Sequence, residues 1–86
     1  MSLDKLRDKI DEIDTAFLAL LALRFEQSKK MKDAKKSMGM PVEDKEREDI
    51  IRRKWRRQAE VLGVNEEFAV TLLDLVLMES KRLQSH

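Results

Sequence analysis

The stretch LDKLRDKIDEIDTAFLALLALRFEQSKKMKDAKKSM, residues 3–38, decides the fold. Leu3, Leu6, Ile10, Ile13, Phe17 and Leu20 recur at alternating spacings of three and four. That is an apolar helical seam with a near-heptad period. Continued at the same spacing, the seam meets Arg24, then Gln27, Met31, Ala34 and Met38. A permanently charged guanidinium thus falls on the stripe that should be core. An unpaired charge is costly to bury, so Arg24 requires an anionic partner.

A helix over about 3–38 contains no Gly or Pro, and at ~1.5 Å per residue it spans about 54 Å. A compact chain of 86 residues has a radius of gyration near 12 Å. The helix outruns its own domain, and its seam calls for cover from a second chain. Gly39 and Pro41 end it. A second helix over about 43–62 follows, with Glu43, Asp44 and Glu46 at its positive end and a stripe of Glu48, Ile51, Trp55, Ala59 and Leu62. Gly63 and Asn65 make a tight connector. A third helix over about 66–84 carries Ala69, Leu72, Leu73 and Val76, then Ser80 and Gln84. With no strand signal and no internal repeat, the chain reads as one all-α domain over residues 1–86, a helical homodimer.

Composition narrows the function. The net charge is +1 and 41% of residues are charged, with both signs nearly matched, which argues against nucleic acid as a partner. No Cys is present, which removes thiol chemistry and thiolate metal sites, and the one His, His86, is read as a tail rather than a ligand. No apolar run is long enough to span a membrane and no signal-peptide core is visible, so a soluble cytoplasmic protein is expected.

Every stripe carries polar residues where core belongs. Arg24 and Lys35 lie eleven residues apart, within ~20° of one face and ~16 Å along the axis. Glu48 heads the second stripe with Asp44 one turn earlier, and Ser80 and Gln84 end the third. The set offers cations, neutral donors and one carboxylate, without a nucleophile pair, a metal cluster or a glycine-rich phosphate loop. Simpler readings coexist with a site. Arg24 also fits a buried ion pair, with Glu48 as one partner, or a register device. Ser80 and Gln84 fit solvated positions, Arg52, Arg53, Arg56 and Arg57 an exposed face, and Trp55 and the five Met residues core. Pattern alone therefore reaches a dimeric helical bundle with a polar pocket for a small anion.

Three stretches go further. They are Leu6-Arg7-Asp8-Lys9-Ile10-Asp11-Glu12-Ile13-Asp14 with Leu20-Leu21-Ala22-Leu23-Arg24; Ala34-Lys35 ahead of Pro41-Val42-Glu43-Asp44-Lys45-Glu46-Arg47-Glu48; and Glu79-Ser80 before Gln84. In this order they resemble the all-α chorismate mutases, across nearly the whole chain. The resemblance implies an intertwined homodimer with two active sites, no cofactor, and the Claisen-type rearrangement of chorismate to prephenate in the biosynthesis of Phe and Tyr. It assigns one substrate carboxylate to Arg24 and the other to Arg7 of the second protomer. Lys35 and Gln84 are implied as donors to the ether oxygen, and Glu48 as acceptor from the ring hydroxyl with help from Asp44. Arg47 and Ser80 are implied as lining residues. Lys36 adjoins Lys35, but Lys35 shares the face of Arg24. With nothing after Gln84 but two residues, the resemblance implies a stand-alone mutase. An isochorismate-pyruvate lyase on the same scaffold, and a non-enzymatic dimeric helical module, remain the alternative readings.

Overall fold

The computed structural model describes residues 2–85. It consists of three helices, α1 (Leu3–Ser37), α2 (Lys45–Leu62) and α3 (Glu66–Gln84). His86, read above as a tail, and Met1 lie outside the described residues.

Each helix end follows from its local sequence. Ser2 caps α1 by accepting the Lys5 N–H at 3.2 Å. Gly39 adopts φ 69° and lets the Met40 N–H turn back to the Lys35 carbonyl at 2.8 Å. Asp44 stands outside α2 as its N-cap, in extended geometry, and takes the Arg47 N–H at 3.0 Å. Gly63, at φ 73°, stops α2. Asn65 Oδ1 accepts the Phe68 N–H at 2.8 Å to start α3.

Helix α3 is the centre of the fold. It packs on both α1 and α2, which do not pack on one another. Its buried face, Ala69, Leu73, Val76, Leu77, Ser80 and Gln84, recurs at three- and four-residue steps, as a helix between two neighbours requires. The core is thin: among the described residues Leu73 is its one fully enclosed large side chain.

The N-terminal half of α1 projects from this core. The molecule is 55 Å long with a radius of gyration of 16.0 Å, well beyond a compact chain of its size. Leu3, Leu6, Ile10, Ile13, Phe17 and Leu20 are all exposed. The accessible surface is 7025 Å², about 1,700 Å² above the ~5,300 Å² typical of a folded monomer of this mass. No described helix is long and apolar enough to cross a membrane.

Two side-chain expectations change. Met31, Met38, Met40 and Met78 are exposed rather than core, because they sit on α1, its connector and the outer face of α3, where this chain supplies no further layer. Arg52 and Arg56 are not simply solvated. Arg52 Nε donates to Asp74 Oδ1 at 3.0 Å and Arg56 Nη1 to Glu67 Oε1 at 3.0 Å, tying α2 to α3. Arg53 and Arg57 remain exposed.

Candidate active site

The C-terminal half of α1, the start of α2 and the end of α3 enclose a cavity of about 270 Å³. That is at the small end of ligand-binding cavities, suited to a compact metabolite. Arg24, Lys35, Asp44, Arg47, Glu48, Ser80 and Gln84 all line it. Its wall also includes Lys81, so four cationic side chains face two carboxylates, an excess of two positive charges.

Arg24 is half-buried and forms no ion pair among the described residues. Burial first, and then the positive charge of Arg47, push its guanidinium below the ordinary range. The pairing of Arg24 with Glu48 considered from the sequence does not occur. Glu48 is buried and engages other cations: Oε1 stands 3.5 Å from Arg52 Nη2, and Oε2 stands 3.3 Å from Lys81 Nζ. Lys81 also reaches Glu43 in the connector at 3.6 Å.

Lys35 Nζ donates to the Val42 carbonyl at 2.7 Å, which fixes the ammonium against the connector. An ammonium has three donors, so two remain. Lys36 is exposed and absent from the cavity wall.

Ser80 and Gln84 are 7% and 5% exposed, so the solvated reading of the α3 tail does not hold. Gln84 Nε2 donates to Ser80 Oγ at 3.1 Å and to the Ser80 carbonyl at 3.2 Å. Its Oε1 is buried with no hydrogen-bond partner among the described residues. Ser80 Oγ lies 2.7 Å from Ser28 Oγ, and Ser28 Oγ donates to the Arg24 carbonyl at 3.3 Å.

Arg7 takes no part in this cavity. It is exposed on the projecting end of α1, 17 residues before Arg24, which is about 26 Å along the helix.

Ser28 and Lys81 were not singled out in the sequence, yet both carry site contacts. Ser28 lies four residues after Arg24 and seven before Lys35, and is 3% exposed. The buried and half-buried positions of α1 at the site are therefore Arg24, Ser28 and Lys35, with Met31 exposed on the cavity wall; of the extrapolated seam, Ala34 is exposed and off the wall, and Gln27 is exposed while still lining the cavity. A straight helix drifts ~20° per heptad, so after three heptads the inward face passes to the next residue. Counting at 3.6 residues per turn from Arg24, instead of 3.5 from Leu3, would have found Ser28.

The family described as chorismate mutase type II matches residues 6–85. A chorismate mutase of Methanocaldococcus jannaschii is 33% identical over 82 residues, covering 95% of this chain and 83% of that protein. The T-protein of Enterobacter agglomerans is 38% identical over 78 residues, which covers 91% of this chain but only 21% of that longer protein. With a match over nearly its whole length, the chain belongs to the chorismate mutase type II family.

Proposed function

We propose that the cavity between the three helices is where this chorismate mutase binds chorismate and rearranges it to prephenate. The observation that carries the reading is Arg24, half-buried in the cavity beside Arg47 and without an ion-pair partner among the described residues. Chorismate is a dicarboxylate, and the cavity wall carries an excess of two positive charges.

The rearrangement breaks the ether C–O bond as a C–C bond forms, within one molecule. It needs no nucleophile and no proton transfer. It needs a flexible substrate held folded, and donors where negative charge grows on the ether oxygen. Arg24 binds one carboxylate. Lys35, tethered to the connector by Val42, and Gln84 serve the ether oxygen. Glu48, held between Arg52 and Lys81, accepts the ring hydroxyl, supported by Asp44 at the α2 cap. Arg47 and Ser80 orient the substrate and its neighbours.

The second carboxylate goes to Arg7 of a second protomer. The exposed seam of α1 and the excess of about 1,700 Å² of surface support a homodimer, since obligate partners commonly bury ~1,000–2,500 Å² each. A helix cannot aim two residues 17 positions and ~100° apart at one small ligand, so the role that the family resemblance implies for Arg7 is assigned to the partner's cavity.

Loss of chorismate absorbance with purified protein tests the reading. Prephenate as sole product supports it. Salicylate plus pyruvate from isochorismate would make the chain a lyase, and a folded dimer without turnover would make it an interaction module.

A further inference from the structure

The hydrogen bonds around Gln84 pose a difficulty for its role. The proposed function needs an amide N–H pointing at the substrate. In the structure both hydrogen bonds of Nε2 run to Ser80, and the atom left without a partner among the described residues is the acceptor Oε1.

The bonds form a directed chain. Gln84 Nε2 donates to Ser80 Oγ, and Ser28 Oγ donates to the Arg24 carbonyl. The hydrogen between the serines, whose oxygens are 2.7 Å apart, therefore comes from Ser80. A hydroxyl donates one hydrogen and accepts on two lone pairs, so both can reverse. In the reversed chain Ser28 donates to Ser80 Oγ, Ser80 donates to Gln84 Oε1, and the amide nitrogen is released.

We propose that Ser28 is a positioning residue for the reaction: the Ser28–Ser80 hydroxyl pair reverses its hydrogen bonds on substrate binding and turns the Gln84 amide from a parked state to a donating one. The inference rests on the proposed role of Gln84 as donor to the ether oxygen.

Reversal gives up the long 3.3 Å bond to the Arg24 carbonyl and sets Oε1 against the Ser80 carbonyl, now 3.2 Å from Nε2. Those losses favour the parked state until a ligand acceptor offsets them. In the reversed state the bonds align from Ser28 through Ser80 and Gln84 to the ligand, and each polarises the next. Removing the Ser28 hydroxyl affects the two states unequally. In the parked state the Ser80 hydroxyl has a fallback acceptor, the helix carbonyl four residues earlier. In the reversed state Ser80 Oγ, at a buried position, loses its donor with no replacement.

A double-mutant cycle on Ser28→Ala and Gln84→Ala tests this, with steady-state kinetics on chorismate and thermal melts as folding control. The expected result is a five- to tenfold loss of kcat in Ser28→Ala, roughly one neutral hydrogen bond, with KM within about twofold. In the Gln84→Ala background the further loss should be under about twofold. An equal loss in both backgrounds, or no loss in either, overturns the relay. If Gln84→Ala itself leaves kcat unchanged, the reading of Gln84 fails first. Should Gln84→Ala abolish turnover, the side-chain amide resonances of Gln84 decide: prephenate should shift them in the wild type and markedly less in Ser28→Ala, and equal shifts overturn the relay.

Discussion

Arg47, on α2, stands close enough to Arg24, on α1, for its positive charge to make that of Arg24 less favourable, in a site where burial already opposes it. A base whose pKa is lower folded than unfolded holds its proton less tightly when folded. Below that lowered pKa, which covers all ordinary pH, its charge therefore costs stability. Arg24→Met should raise the melting temperature of the ligand-free protein by a few degrees, about 1 kcal/mol or less after solvent screening. The same variant should raise KM for chorismate at least about thirtyfold, as expected for loss of a charged partner. Thermal unfolding and steady-state kinetics on one preparation check both signs.

Lys35→Ala should act on the chemical step. Lys35 is already anchored to the Val42 carbonyl, so its remaining donors are held in place before the ether oxygen gains charge. Loss of such a donor typically costs ~2.7–4 kcal/mol, a fall in kcat of about 10²–10³ with a much smaller change in KM. Near-normal kcat would remove Lys35 from the mechanism.

Lys81→Met should act on binding. Lys81 pairs with Glu48 and Glu43, and its removal halves the positive excess of the cavity. KM should rise about two- to fivefold, the scale of a partly exposed ion pair. The rise of KM with added salt should also be shallower than in the wild type, because screening has less attraction to weaken.

Activity should not require acid. Gln84 is an amide, and it donates in the same form at any ordinary pH. The kcat profile should be nearly flat between pH 5 and 7. A steep fall over that interval would point to a carboxylic acid as donor instead.

The fold was legible because its signals are local. Gly39 and Gly63 mark helix ends through their positive φ, and Asn65 through a side-chain cap three residues away. Arg24, Glu48, Ser80 and Gln84 stood out because they are polar on apolar stripes. Arg47 was different: it is exposed and off any stripe, so only resemblance to a family singled it out. Ser28 stayed hidden because the seam was counted at 3.5 residues per turn, and the small drift per heptad had moved the inward face by one position. Lys81 stayed hidden because its partners, Glu43 and Glu48, are distant in sequence and meet it only when α3 packs beside the start of α2. The α1 seam was legible as an apolar face, and this chain leaves it exposed.

In the proposed dimer each site takes Arg24 from one protomer and Arg7 from the other. The test is to mix the variants Arg7→Ala and Arg24→Ala after dissociation and to assay well below their raised KM, where each alone is nearly inactive. In a heterodimer, one site receives the intact Arg24 of one chain and the intact Arg7 of the other, while the second site receives neither. Random pairing makes half of the dimers mixed, so activity should return to about a quarter of the wild type. A mixture no more active than its components would contradict the account.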